Sequence, residues 1–158
     1  MIARGRSVSL TACAGLAALA LLSGCARRRP VGRLEVSPRE TSVARDACAR
    51  LLITFRPEAA LDRMRGRPTV FVRLRAENGR LAGRLDHLLP KPWTPGVVQS
   101  YEIRLCPASL ATPLAPGRYR LTAGLYEDSW GYRWPLETGA KELDPREYLL
   151  GSVTVGPG

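Results

Sequence analysis

The strongest constraint on this chain is a period of two. ARLLITFR at residues 49–56, YEIRL at 101–105 and RYRLTAGLY at 118–126 alternate apolar with polar side chains. Successive side chains of an extended strand point to opposite faces. One face therefore collects Leu51, Ile53 and Phe55, another Val70, Val72 and Leu74, a third Tyr101, Ile103 and Leu105, and a fourth Tyr119, Leu121, Ala123 and Leu125. These residues are the expected core. Arg50, Thr54, Arg56, Arg73, Arg75, Glu102, Arg104, Arg118 and Arg120 fall on the opposite faces and are expected in solvent. No window carries a long helical period, and 13 prolines and 15 glycines punctuate the chain at the spacing of short strands. The pattern predicts an all-β sandwich or barrel.

Strands are expected at 33–36, 49–56, 69–77, 97–105, 118–126 and 149–155, with weaker candidates at 80–88 and 131–136, so about seven to eight in all. The segment 57–68, bounded by two prolines, reads as a connection rather than a helical turn.

The first 24 residues follow a different rule. Arg4 and Arg6 precede a run of 15 uncharged residues, 8–22. That is the layout of an export signal and is too short for the roughly 20 residues a membrane-spanning helix needs. The stretch Leu22-Ser23-Gly24-Cys25 resembles the lipobox of bacterial lipoproteins. The resemblance implies that Cys25 is thioether-linked to diacylglycerol, that the signal is cut before it, and that the new amino terminus is acylated. An ordinary cleavage site beside a chance cysteine is the competing reading. Several acyl chains on one residue provide the multiple signals that stable anchoring needs, and Arg27, Arg28 and Arg29 would sit at anionic headgroups. Ala26 lacks the Asp that by family analogy favours retention in the inner membrane, so the outer membrane, facing the periplasm, is the expected address. The expected organisation is a signal peptide at 1–24, a basic lipid-anchored tether at 25–32 and one β-sandwich at 33–156.

Without its first 24 residues the chain keeps 22 basic against 14 acidic residues, a net charge of +8. Only Lys91 and Lys141 are lysines, so a coding bias toward arginine competes with an anionic partner as the explanation. The charges are scattered among apolar residues, as on a solvated sheet, and no recognition-helix or RNA-binding signature is present. Nucleic acid is excluded as an expected partner; membrane lipid, held through Cys25, is included.

With Cys13 in the signal and Cys25 lipidated, Cys48 and Cys106 remain in an oxidising compartment. Cys48 begins one predicted strand and Cys106 ends another, each out of phase with the apolar face, so the two sulfurs can meet on the outward side of an antiparallel pair. A disulfide is expected. Two free thiols or a metal pair is the alternative, and neither histidine nor cysteine lies nearby at ligand spacing.

The stretch PLAPGRYRLTAGLYEDSWGYRWPL, residues 113–136, resembles immunoglobulin-like β-sandwich modules of bacterial envelope proteins, some of them attached to membrane glycosyltransferases. The likeness extends upstream through Asp86 and Trp93-Thr94-Pro95-Gly96 and downstream to Leu150–Val155. It implies a single immunoglobulin-like or fibronectin-III-like antiparallel sandwich. It makes Tyr119 a candidate corner tyrosine bonding back to the main chain, and Gly124 a point of close approach or a bulge. Asp128-Ser129-Trp130-Gly131 is expected to reverse the chain into a hairpin.

For catalysis the residues offer little. His87 is the only histidine, and Asp86 points to the opposite side if the segment is a strand. No phosphate-cradling loop, zinc helix or EF-hand motif occurs, so the chain is read as noncatalytic, with no cofactor and no metal. The ligand candidates are Tyr126, Asp128, Trp130, Tyr132 and Trp134, with Trp93 nearby, since indole and phenol faces stack on sugars or grip protein partners. Trp134 and Trp93 read more readily as cover for the core edge, whereas Trp130, in a turn, is the expected exposed anchor. Two functions follow: a noncatalytic envelope module binding a glycan or glycolipid, or a structural lipoprotein holding an envelope protein through loops or a sheet edge. A sandwich resembling protease inhibitors is a third, fainter reading.

Overall fold

The computed structural model describes residues 29–158 apart from 60, 62 and 63; Cys25, the signal segment and most of the basic tether lie outside the described residues. Among the described residues the fold is an all-β sandwich of two sheets and eleven strands. The strands are β1 (Gly32–Ser37), β2 (Glu40–Ala44), β3 (Ala49–Pro57), β4 (Pro68–Ala76), β5 (Leu81–Arg84), β6 (His87–Leu88), β7 (Gln99–Leu105), β8 (Gly117–Glu127), β9 (Arg133–Trp134), β10 (Glu142–Asp144) and β11 (Glu147–Gly156). The smaller sheet runs β1-β3-β7; the larger runs β10-β11-β8-β4-β5, with β2 on β11, β6 on β4 and β9 on β8.

The six main expected strands are present to within a few residues of their predicted bounds. The count exceeds the expected seven to eight because short pieces complete the larger sheet. The expected 80–88 strand divides into β5 and β6, and 131–136 contributes only β9. Strands β2 and β10 were not foreseen. In β2, ETSVA, only Val43 is buried, so there is no alternation to read. Its strand geometry comes from parallel pairing with β11, Ser152↔Glu40 through Gly156↔Ala44. A chain that leaves one sheet after β1 and joins the other as β2 seals both sheets with one segment.

The core lies between the sheets, where Leu34, Leu51, Ile53, Phe55, Val70, Val72, Leu74, Leu121, Ala123 and Leu125 are fully buried. Burying a side chain of this size contributes roughly 1.5–3 kcal/mol each. Tyr101 and Ile103 are only half-buried, because β7 is the outermost strand of its sheet. Leu61, from the 57–68 connection, also enters the core.

Cys48 and Cys106 form a disulfide with Cα atoms 4.2 Å apart. They are one step beyond the Ala49↔Leu105 pair of β3 and β7, with Cys48 exposed and Cys106 half-buried. The bridge therefore clamps the end of one strand pair on its outer side and leaves the core to apolar packing. Tyr119 donates its hydroxyl to the Ala115 carbonyl at 2.8 Å, closing the corner into β8.

One part of the expected face assignment is corrected. Arg73 and Arg75 do not face solvent: their side chains are only 15% and 21% exposed. Phe71 and Thr122, on the same outer side of β4 and β8, are fully buried. The alternation correctly places these residues opposite the core, but Arg133 from β9, Glu147 from the start of β11 and the Arg146 carbonyl just before it close over that face.

Candidate functional site

The hairpin that the sequence singles out joins β8 to β9. Glu127 N–H donates to Tyr132 O at 3.2 Å and Gly131 N–H to Glu127 O at 3.0 Å. Gly131 has φ +63°, the left-handed region that favours glycine. Asp128 accepts from the Arg67 backbone N–H at 2.7 Å and from its Nε at 2.9 Å. Those bonds from the main chain and side chain of Arg67 hold the Asp128 carboxyl below its ordinary range. At Gly66 a side chain would meet Ser129 Oγ and Asp128 Oδ1 within 2.6 Å, so the 64–67 loop packs directly on the turn. Asp128 is thus occupied in fastening two loops together.

Trp130 stands out from the tip, 69% exposed, with the Arg65 guanidinium 6.0 Å from its ring. The other aromatic candidates are not gathered around it. Tyr126 leans on Phe71, ring centroids 6.1 Å apart. Tyr132 and Trp134 meet edge to face at 5.1 Å, and the Arg146 guanidinium lies 4.6 Å from the Tyr132 ring. Trp134 packs against the core with its Nε1 buried. Trp93 does the same near Leu89, whose carbonyl accepts its indole N–H at 3.2 Å.

Beneath the hairpin lies a cluster that residue patterns did not reveal. The Glu147 carboxylate is fully buried. It accepts from Arg75 Nε at 2.5 Å and Nη2 at 2.8 Å, from Arg73 Nη1 at 3.2 Å and from the Thr122 hydroxyl at 2.7 Å. Arg133 lies 3.6 Å away and also reaches Asp144 at 3.0 Å and the Pro145 carbonyl at 3.0 Å. Burial alone would raise the Glu147 carboxyl. The hydrogen bonds from Arg75 and Thr122 and the charges of Arg75 and Arg73 outweigh it and hold the carboxyl at about 2. The Phe71 ring forms the floor, 4.5 Å from the Arg73 guanidinium and 5.1 Å from that of Arg133. Gly124 makes the layering feasible, because a Cβ there would overlap both Phe71 and the Arg146 carbonyl. Arg146 in turn donates to the Arg133 carbonyl. Beside this cluster, Tyr132, Arg133, Glu142, Asp144 and Arg146 line a shallow open depression of about 620 Å³.

His87 lies on the far side, bonded to the Leu85 carbonyl and to the Tyr101 hydroxyl, each at 2.8 Å. Burial pushes the Tyr101 hydroxyl well above its ordinary range. Asp86, next to His87, is exposed, and burial of its carboxyl group nonetheless raises its pKa. Among the described residues, no group of three or more His, Cys, Asp or Glu is placed to hold a metal ion.

No model of a known protein family matches this chain, and no curated protein matches it.

Proposed function

We propose that this chain is a lipid-anchored envelope lipoprotein whose sandwich is a noncatalytic binding module, and that Trp130 at the hairpin tip is the anchor for an envelope glycan or glycolipid. The observation that carries the reading is the exposure of Trp130 on a turn that is itself rigidly held. Its neighbour Asp128 is bonded to Arg67 of the 64–67 loop, against which Ser129 packs, and the strands on either side contribute Thr122 and Arg133 to the Glu147 cluster. A large indole carried on a held backbone turn needs little main-chain ordering on binding, which favours it as a contact residue. Arg65 beside the ring adds a cation that suits an anionic or phosphorylated sugar. In this proposal the acyl chains on Cys25 hold the module at the outer membrane, facing the periplasm.

The experiment is a titration of purified protein with envelope polysaccharide and lipid-linked saccharide fractions, followed by isothermal titration calorimetry. Trp130→Ala is expected to leave the melting transition in place while weakening binding by about 2 kcal/mol or more. Binding that persists in the variant, or absence of binding to every fraction, overturns the assignment of the ligand. Labelled fatty acid tests the anchor: incorporation that disappears in Cys25→Ser supports it, and unlabelled wild-type protein in the medium refutes it.

A further inference from the structure

The two outer strands of the smaller sheet are treated differently. Strand β1 is covered by the 135–137 segment: Val31 N–H donates to Pro135 O at 3.0 Å, Leu34 N–H to Glu137 O at 3.3 Å, and Glu137 N–H to Gly32 O at 2.9 Å. Strand β7 has no such cover. Among the described residues it pairs only with β3. Its backbone groups on the other side have no protein partner among the described residues. With seven residues it is the longest open edge among the described residues, against five for β2, four for β5 and three for β10. It is also held stiffly, by the disulfide at one end, by the Thr54–Ser100 hydroxyl contact of 3.1 Å and by the Tyr101–His87 bond. A row of unpaired donors and acceptors on a preformed strand is a template for another strand.

The charges on β7 indicate which strand. Arg104 lies directly opposite Arg50 across the β3–β7 ladder, an arrangement of like charges that destabilises. Glu102 reaches Arg50 at 3.7 Å from a largely exposed position; Arg104 has no acidic partner among the described residues. If β7 meets β7 of a second copy antiparallel about a two-fold axis at Ile103, Glu102 of each copy falls opposite Arg104 of the other. On the inner face the same register sets Ile103 against Ile103 and Tyr101 against Leu105. That covers the two core residues the open edge leaves half-buried, and it carries the exposed Val97 and Val98 toward the other copy's Pro107–Ser109 turn. Centring on residue 102 or 104 instead sets Glu102 against Glu102 or Arg104 against Arg104. We infer that β7 is a self-pairing edge, through which two copies of this chain join their smaller sheets into one six-stranded sheet in the Ile103-centred register. A single strand pair is a small interface, so the association belongs to the weak, reversible class. This inference is independent of the Trp130 reading.

The test is sedimentation of the detergent-solubilised full chain, at concentrations from about 1 to 100 μM, for wild type, Glu102→Arg, Arg104→Glu and an equimolar mixture of the two variants. The wild type is expected to dimerise. Each variant alone sets like charges across both contacts and is expected to dimerise about tenfold more weakly. In the mixture, a copy with arginine at both positions meets a copy with glutamate at both, so opposite charges face each other across both contacts and dimerisation is expected to recover. Both positions are exposed, and circular dichroism checks that each variant is folded. A wild type that stays monomeric throughout, variants that dimerise as well as wild type, or folded variants whose mixture stays monomeric would each overturn the inference.

Discussion

Replacing Glu147 by glutamine tests the Glu147 cluster most directly. In the folded protein the carboxyl is held at about 2 against an ordinary value of 4.5. The difference corresponds to roughly 3 kcal/mol favouring the folded state when the group is ionised. Because the folded-state value is the lower one, this stabilisation is fully present above about pH 4.5. It is lost as the pH falls from there through about 2, where both states bind the proton. Glutamine keeps the shape and one acceptor oxygen but leaves Arg75, Arg73 and Arg133 facing one another around a neutral group. Removing one partner of a buried ion cluster commonly costs 3–5 kcal/mol, because the remaining charges are left desolvated. The assay is urea unfolding, followed by circular dichroism at a series of pH values between 2 and 7. Glu147→Gln is expected to be less stable than wild type by roughly 3 kcal/mol at pH 7. The gap should close between pH 4.5 and 2, because Asp128, Asp86 and the other carboxyls titrate in both proteins and cancel in the difference. A gap below about 1 kcal/mol at pH 7, or one that does not change with pH, would refute the cluster as a source of stability.

Three further outcomes follow from single contacts. Gly124→Ala drives a Cβ into the Phe71 ring and the Arg146 carbonyl and should cost about 1–3 kcal/mol in urea unfolding as the ring and the Arg146 backbone are displaced from the face of β8. Tyr119→Phe removes only the hydroxyl that reaches Ala115 O and should cost about 0.5–1.5 kcal/mol, with circular dichroism unchanged. Reducing the Cys48–Cys106 bridge, whose cysteines are 58 residues apart, should lower the unfolding free energy by up to roughly 4 kcal/mol on the chain-entropy estimate. The folded spectrum should be retained, because the bridge lies outside the core.

The period-two pattern carried much of the architecture into view. Leu51, Ile53, Phe55, Val70, Val72, Leu74 and Leu121 alternate with polar residues because one face of each strand meets apolar neighbours, and that requirement is written locally. The corner tyrosine and the disulfide were legible for a related reason. Tyr119 bonds to a carbonyl only four residues back, and both cysteines sit at strand ends whose phase the alternation sets. The exposure of Trp130 was legible too, since a residue in a tight turn has few neighbours to cover it.

The rest depends on contacts between segments far apart in the chain. Strand β2 exists because β11 accepts it in parallel, a partner more than 100 residues away that leaves no period in ETSVA. Alternation names which face of β4 carries Arg73 and Arg75, but not what lies on that face. What closes over them is Arg133 and Glu147, the latter 72 residues beyond Arg75. The open edge of β7 is likewise invisible locally, because whether a strand is central or outermost depends on the order of strands in the sheet. The sequence by itself determined that the chain makes β-strands, which residues face the core and where the turns fall, since these are set by side-chain direction along a few residues. Only the tertiary structure decided that a second face would be dry enough to hold an ionised Glu147, and that one edge would be covered while another stayed open. Burial and strand neighbourhood are properties of what packs alongside, and in this protein the packing partners come from distant parts of the chain.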